Sequence, residues 1–264
     1  MQDPTGSTNP AKSGSQARVR SEKSRPSAFW ILAGLILPFM NLVARYRIIN
    51  REKFPRTGAF VLAPNHYSEI DPVVMGVVSW KLGRLPRFLA KASVFKIPIA
   101  GWVLRKSGQI PVQRGDSVRG SGPVKAAERL VELGQMVVVY PEGSLTRDPD
   151  LWPMRGKTGA VRIALEHGIP IVPAAHWGAQ QIMDRYSKKV SLFPRKTITI
   201  KIGDPVDLAR FRGRSLDTAT LNEATTVVMD AITGLLEDLR GAKAPEKRWN
   251  PAEHEQRETG RFEA

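Results

Sequence analysis

Short apolar runs that favour strands alternate with amphipathic runs that favour helices through most of this chain, and this alternation limits the fold more than any other feature. The run GAFVLAPN at 58–65 predicts a strand, DPVVMGVVSW at 71–80 predicts the helix after it, and a last helix is expected at about 217–240. We further predict strands at 86–91, 109–114, 135–143, 169–178 and 196–206, and helices at 97–108, 122–134 and 157–168. Such alternation is typical of the α/β class, so we predict a mostly parallel central sheet with flanking helices.

The two ends of the chain do not follow this pattern. Residues 1–27 are polar, rich in Ser, Gly and Pro and basic near their end, which predicts a disordered basic arm. Residues 241–264 are also polar, and we expect a mobile tail there. The alternating pattern places one folded domain at 45–240.

An almost wholly apolar segment, AFWILAGLILPFMNLVA at 28–44, lies between the arm and the domain. A straight helix of this length spans about 25 Å, against roughly 30 Å for a bilayer core, and Pro38 would kink it. We predict a membrane-associated helix or helical hairpin that does not span the bilayer. A transmembrane helix and a buried helix remain the alternatives. A cleaved signal peptide is disfavoured because the basic arm is long and no small-x-small cleavage site follows.

Composition and charge exclude some kinds of chemistry. The chain has no cysteine, which excludes disulfides, thiolate catalysis and cysteine-based metal sites. Its net charge of +15 predicts attraction to polyanions, which include nucleic acid, an anionic membrane surface and phosphorylated substrates. The basic residues are scattered and form no known nucleic-acid-binding module, so we predict no nucleic-acid partner.

One histidine and one aspartate, His66 and Asp71, stand five positions apart after the first predicted strand. On a continuous helix their side chains would point about 140° apart and could not meet. An Asp followed by Pro72 is, however, typical of a helix start, with the Asp as N-cap, so the pair falls in a strand-to-helix turn. An arbitrary pair at this spacing would be a surface histidine and a capping aspartate. The alternative is a catalytic dyad, with His66 as general base and Asp71 orienting and stabilising its imidazolium.

The surrounding sequence favours the dyad. NHYSEID at 65–71 resembles the NHxSxxD motif of the glycerolipid acyltransferases, the lysophosphatidate acyltransferase-like family. The second, third and fourth blocks of that family are matched in the same order by SGQIPVQR at 107–114, VVVYPEGSLTR at 137–147 and GIPIVPAAHWG at 168–178. The upstream FLAK, which ends at Lys91, also matches a family position. The resemblance covers roughly 45–205.

The resemblance implies transfer of a fatty acyl group from acyl-CoA to the free hydroxyl of 1-acylglycerol-3-phosphate, which gives phosphatidic acid. His66 would take the proton from that hydroxyl, and no acyl-enzyme is needed. Acyl-CoA is then a co-substrate, with acyl carrier protein as the alternative donor, and neither a cofactor nor a metal is implied. Other acceptors remain open: glycerol 3-phosphate, another lysophospholipid or a glycolipid.

The phosphate of such an acceptor needs cationic partners, and an arginine fork fits phosphate oxygens best. The matched blocks imply Arg114 and Arg147 for this role, with Lys91 adding a point charge. The loop before Arg147 is two residues longer than the family's usual FPEGTRS, so its assignment is less direct.

The third block supplies three further candidates for substrate binding. Glu142 would accept a hydrogen bond from substrate or brace Arg114, and Gly143 would let the backbone approach a ligand closely. Ser144 would take the family's Thr position. We interpret His176 in the fourth block as a structural residue at a strand end. The oxyanion stabiliser is left open, with backbone N–H groups near the Asp71 helix start as one candidate.

A lipid acceptor implies a membrane. We expect the domain on the cytoplasmic face of the cell membrane, held there by 28–44 and by basic residues that face anionic headgroups. SKKVSLFPRK at 187–196 is either a second membrane contact or a solvated hairpin tip.

Overall fold

A computed structural model describes residue 22 and residues 28–112, 128–187 and 189–257 of the chain. Within this part, a five-stranded sheet is formed by β1 (Ala44–Ile49), β2 (Phe60–Pro64), β5 (Met136–Val138), β6 (Ile171–Trp177) and β7 (Lys196–Ile202). A two-stranded parallel sheet is formed by β3 (Leu89–Lys91) and β4 (Ile110–Val112). The α-helices of nine or more residues are α1 (Ala28–Val43), α2 (Asp71–Lys81), α3 (Pro98–Lys106), α4 (Gly159–His167) and α5 (Thr218–Arg240). Of the helix predicted at 122–134, residues 128–132 are helical and residues 122–127 lie outside the described residues.

The five strands lie in the order β1-β7-β6-β2-β5, and all pairs except β6 with β7 are parallel. The predicted mostly parallel sheet is therefore confirmed. The β6–β7 pair is antiparallel because residues 178–195 form no α-helix in their described part, and a parallel connection needs a crossover of that kind. Strand β1, which the sequence analysis did not predict, extends the sheet beside β7.

Strand β2 shows how the core is layered. Successive side chains of a strand point to opposite faces of its sheet. Phe60 and Leu62 pack in one cluster with residues of α1 and α2, while Val61 and Ala63 pack in a second cluster with residues of α4 and α5. Each face of the sheet is thus covered by helices. The flanking helices that the sequence predicts are confirmed.

The apolar segment at the start of the described chain forms helix α1, which runs through Pro38. Met40 and Val43 are buried against the core, whereas Ile31, Leu35 and Leu42 are 64%, 72% and 60% exposed. Among the helices of the described residues, none is long and apolar enough to cross a bilayer. Of the predicted arm, Glu22 is described, while residues 1–21 and 23–27 lie outside the described residues.

The end of α5 is set by Gly241, whose φ of 62° lies in the left-handed region that glycine adopts readily. Beyond it, the predicted tail contacts the domain: the Arg155 N–H donates to the Trp249 carbonyl over 2.9 Å. Pro251 is also buried. Residues 258–264 of the predicted tail lie outside the described residues.

Candidate active site

The turn between β2 and α2 brings His66 and Asp71 together. His66 Nδ1 lies 3.0 Å from Asp71 Oδ2. The Asp71 side chain is fully buried, and the His66 side chain is 15% exposed. An ionised carboxylate only accepts hydrogen bonds, so Nδ1 carries the proton in a neutral imidazole and Nε2 holds the free lone pair. The exposed part of the ring can therefore act as a base.

The predicted capping role of Asp71 is wrong. Asp71 is the first residue of α2, and Ile70 precedes it in the N-cap position. Its Oδ2 accepts the N–H groups of Tyr67 and Ser68 over 2.7 and 2.8 Å, in addition to the His66 contact. The carboxylate thus bonds the preceding loop, because the N–H groups of Tyr67 and Ser68 compete successfully with the N–H groups inside the helix.

The backbone N–H groups at this helix start already have acceptors. The N–H groups of Asp71, Val73 and Val74 donate to carbonyls of the same turn over 2.9 to 3.1 Å. Pro72 has no N–H to offer. These groups consequently do not form an oxyanion hole in this conformation, so the candidate raised by the sequence is not supported.

The third sequence block forms a loop that holds His66 from several sides. The Tyr140 ring, just beyond β5, stacks on the imidazole with centroids 4.0 Å apart and planes at 24°. The backbone N–H of His66 donates to Glu142 Oε1 over 2.8 Å, and its carbonyl accepts the Thr146 N–H over 2.7 Å. Both the ring and the backbone of the histidine are therefore fixed.

Glu142 bridges two loops from a fully buried position. Its Oε1 accepts the His66 N–H, and its Oε2 accepts the Met154 N–H over 3.0 Å. Burial raises the pKa of Glu142 to about 8, against the opposing effect of the two N–H groups. Both oxygens of this carboxylate thus bond backbone groups of the chain. Arg114, one of the two partners that the sequence analysis left open for Glu142, lies outside the described residues.

Gly143 and Ser144 follow Glu142 in a tight turn. The Gly143 N–H donates to the Tyr140 carbonyl over 3.0 Å, and its φ is 70°. A Cβ at this position would lie 2.9 Å from the side chain of Lys157. The turn itself therefore explains the glycine, without a ligand. Ser144 is buried at 8% exposure.

A second histidine, His176 of β6, lies on the far side of the Asp71 carboxylate and is completely buried. Its Nε2 is 3.1 Å from the Asn65 carbonyl and 3.8 Å from Asp71 Oδ1. A carbonyl only accepts, so Nε2 carries the proton and Nδ1 accepts from the Tyr67 hydroxyl 3.1 Å away. Burial lowers the pKa of His176, although Asp71 acts in the opposite direction, so the ring is held neutral. The carboxylate is thus flanked by two imidazoles.

An apolar cavity of about 430 Å³ opens beside His66 and Tyr140. It runs along one face of α2, through Pro72, Gly76 and Trp80, and is also lined by side chains of α1 and α3, including Leu32, Ile36, Val103 and Leu104. Most of the other lining residues are also hydrophobic, with Ser107 and Gln109 as polar exceptions. The site therefore combines an imidazole with an apolar cavity.

A family model described as Acyltransferase matches residues 45–177, half of the chain. This chain belongs to the acyltransferase family. The matched region contains His66, Asp71 and the loop around them, so the family resemblance seen in the four sequence blocks is confirmed.

Curated relatives support this membership. The acyltransferase described here is 30% identical over 182 residues to the 1-acyl-sn-glycerol-3-phosphate acyltransferase of Bacillus subtilis (strain 168), covering 68% of this chain and 82% of that protein. It is 32% identical over 130 residues to the chloroplastic 1-acyl-sn-glycerol-3-phosphate acyltransferase BAT2 of Brassica napus. That match covers 49% of this chain but 36% of the plant protein, so the chain spans about a third of that relative's length.

A solved structure supports the fold. The 1-acyl-sn-glycerophosphate acyltransferase PlsC from Thermotoga maritima superposes with a TM-score of 0.58 at 21% identity, covering 83% of both chains. At this identity the structural similarity supports only the α/β architecture.

The predicted phosphate-binding residues of this acyltransferase are only partly described. Arg114 lies outside the described residues, and Lys91 ends β3 with its side chain outside them as well. Arg147 is buried at 2% exposure, with its guanidinium carbon 5.9 Å from the Tyr186 ring.

Arg185 is a basic residue of this site that the sequence analysis missed. Its Nη1 donates to the carbonyls of Thr146 and Asp148 over 2.6 and 2.7 Å, and burial lowers the pKa of its guanidinium. The loop that holds His66 therefore carries Arg147 and also binds Arg185. No motif marks Arg185, since it reaches the loop from 37 residues away in sequence.

Proposed function

We propose that this acyltransferase moves a fatty acyl group from acyl-CoA to the free hydroxyl of 1-acylglycerol-3-phosphate, producing phosphatidic acid. The observation that carries the proposal is the His66–Asp71 contact at the mouth of an apolar cavity. The relatives from Bacillus subtilis and Brassica napus, which bear the name of this activity, support the choice of acceptor.

In the proposed reaction, His66 Nε2 takes the proton of the acceptor hydroxyl as its oxygen attacks the thioester carbonyl. The resulting tetrahedral intermediate collapses with cleavage of the carbon–sulfur bond. The leaving thiolate then recovers the proton from the imidazolium, so charge and protons balance without an acyl-enzyme. Asp71 stabilises the imidazolium between these steps, and stacking on Tyr140 keeps the ring aligned.

We assign the acceptor phosphate to the basic side of the His66 loop. Arg147 and Arg185 are the described guanidinium groups there, and we retain Lys91 and Arg114 as further ligands on the family resemblance. Glu142 then acts by holding the backbone of His66, with Gly143 and Ser144 shaping the loop. The acyl chain would occupy the apolar cavity along α2, since burial of methylene groups there is favourable.

We place the enzyme on the cytoplasmic face of the cell membrane, where it would contact anionic lipid. Support comes from the exposed apolar side chains of α1, with Phe193 at 62% exposure as a second contact. Acyl-CoA is the proposed donor and acyl carrier protein the alternative.

A second acceptor is supported by one further relative. The chain is 32% identical over 111 residues to the lyso-ornithine lipid O-acyltransferase of Pseudomonas aeruginosa, across 42% of this chain and 40% of that protein. The chemistry would be unchanged, and only the headgroup contacts would differ.

The test is a panel of acceptors with purified enzyme and palmitoyl-CoA in detergent micelles, followed by release of free thiol. The panel contains 1-acylglycerol-3-phosphate, glycerol 3-phosphate, lysophosphatidylcholine and lyso-ornithine lipid. We expect the highest kcat/KM with 1-acylglycerol-3-phosphate. A higher kcat/KM with lyso-ornithine lipid would make that lipid the acceptor in place of 1-acylglycerol-3-phosphate. If neither acyl-CoA nor acyl carrier protein as donor gives thiol release with any acceptor, the proposed activity is wrong.

A further inference from the structure

A carboxylate of the N-terminal region is held by an anion-binding arrangement away from the candidate active site. Glu22 Oε1 accepts from Arg84 Nη2 over 3.0 Å. Its Oε2 accepts the Leu85 N–H over 3.0 Å and lies 3.4 Å from Arg87 Nη1. Two guanidinium groups and one backbone N–H thus converge on both oxygens of one carboxylate. We call Arg84, Arg87 and the Leu85 N–H the arginine pocket.

The two arginines are buried to an unusual degree for charged side chains. Arg84 is 1% exposed and Arg87 is 7% exposed. Besides the carboxylate, Arg84 donates to the carbonyls of Pro55, Gly58 and Gly134. Carbonyl groups accept from both Nη atoms of Arg84, whereas its buried Nε has no hydrogen-bond partner among the described residues. These carbonyl dipoles do not neutralise the charge. Burial lowers the pKa of Arg87, Glu22 raises it through its charge and hydrogen bond, and the neighbouring Arg84 charge lowers it further. Two buried guanidinium groups side by side therefore favour an anion between them.

The arginine pocket lies at the opposite end of α2 from the dyad. Asp71 begins this helix, and Arg84 follows its end at Lys81, which separates them by about 16 Å of helix. The Arg87 guanidinium carbon also lies 5.9 Å from the ring of Phe29, which lines the apolar cavity. The pocket therefore borders the far end of that cavity, beside the start of α1.

We propose that the arginine pocket is an oxyanion-binding site whose resident ligand is the carboxylate of Glu22. The chain supplies this ligand from 62 residues before Arg84, so its occupancy ties the N-terminal region to the domain beside α1. The chemical class that the pocket accepts is a carboxylate or a phosphate, because paired guanidinium groups and an N–H match both. This inference stands independently of the proposed acyl transfer.

The test removes the internal ligand and supplies an external one. Thermal unfolding of the full chain is followed for the wild type, Glu22→Ala and Glu22→Gln, with inorganic phosphate or with sodium chloride at equal ionic strength. Glu223→Ala is a matched control, because Glu223 also contacts two arginines, Arg210 and Arg214, but at an exposed surface site.

We expect both Glu22 variants to unfold about 5 °C below the wild type in chloride, and phosphate to restore at least half of that loss. Glu223→Ala should unfold with the wild type in both salts. Adding Arg87→Gln to Glu22→Ala should abolish the specific effect of phosphate. The proposal is overturned if the Glu22 variants unfold with the wild type, or if phosphate stabilises wild type and variants equally.

Discussion

At the scale of single residues, the Asp71 carboxylate is shared unequally between two histidines. Oδ2 bonds His66 and two backbone N–H groups, whereas no group among the described residues donates a hydrogen bond to the buried Oδ1. The His176 Nε2 atom lies 3.8 Å from Oδ1. His176 thus lies beside the carboxylate without taking the place of the His66 bond.

The burial of His176 predicts a pH dependence of stability. Its pKa in the folded protein is lowered, so below the unfolded value near 6.5 the unfolded chain binds a proton that the folded chain does not. This linkage makes the folded state lose stability as the pH falls. We expect His176→Gln to remove about 1 kcal/mol of the stability loss between about pH 7 and pH 5.5.

The measurement is urea unfolding of wild type and His176→Gln across that pH range. Glutamine keeps a donor and an acceptor for the Tyr67 and Asn65 contacts, so the variant isolates the proton uptake. His254→Gln is the control, since His254 is exposed. Equal slopes for wild type and His176→Gln would show that this histidine is not the source of the pH dependence.

At the scale of elements, α2 links the dyad to the cavity. Its first residue is Asp71, and one of its faces lines the cavity through Pro72, Gly76 and Trp80. A Cβ at Gly76 would meet its nearest neighbour, Pro86, only at 3.9 Å, which leaves space on the cavity side. The glycine therefore keeps the middle of the cavity open.

A larger side chain at Gly76 should shorten the space for an acyl chain. We expect Gly76→Leu to lower kcat/KM for palmitoyl-CoA at least about tenfold while changing the value for octanoyl-CoA much less. Gly234→Leu is the control, because Gly234 lies in a helix with open space around it. A parallel loss with both thioesters in Gly76→Leu would contradict this use of the cavity.

The local sequence predicted the positions of helices and strands better than it predicted which strands pair and in which direction. The apolar run of β2 and the Asp-Pro start of α2 are local signals, and both elements form where these signals place them. The antiparallel pairing of β6 with β7 depends on the absence of a crossover helix, which strand patterns do not report. The sequence also did not predict that the Asp71 carboxylate accepts hydrogen bonds from the preceding loop, because competition between loop and helix N–H groups is decided by geometry.

The candidate site shows the same division. His66 and Asp71 lie in one motif, whereas Tyr140 and His176 contact them from distant parts of the chain. Arg185 likewise reaches the His66 loop at Thr146 from a distant part. Contacts of this kind follow from strand order, which places the carboxyl ends of β2, β5 and β6 together. A pass along the sequence could therefore find His66 and Asp71 but not the residues that contact them from elsewhere in the chain.

At the scale of the whole molecule, the charge of +15 and the exposed face of α1 point to the same partner. Ile31, Leu35 and Leu42 recur at helical spacing and are each at least 60% exposed. Cationic charge attracts anionic lipid at long range, and apolar side chains then insert. We propose this face as the contact with the bilayer.

Replacing that face should weaken membrane binding. We expect the triple variant Ile31→Ser, Leu35→Ser and Leu42→Ser to bind vesicles of phosphatidylglycerol and phosphatidylcholine about 100-fold more weakly in a sedimentation assay. Leu133→Ser is the control, since Leu133 is a similarly exposed leucine elsewhere. Binding at wild-type strength by the triple variant would exclude α1 as the contact.

The central claim is that the imidazole of His66, supported by Asp71, removes the acceptor proton. The most direct measurement is the rate of phosphatidic acid formation from palmitoyl-CoA and 1-acylglycerol-3-phosphate by His66→Ala, with unfolding temperature as the check on folding. We predict a loss of about 1,000-fold or more in kcat with little change in unfolding temperature, and near-native turnover by the exposed-site control His254→Ala. A folded His66→Ala enzyme that forms product at the wild-type rate would contradict the account.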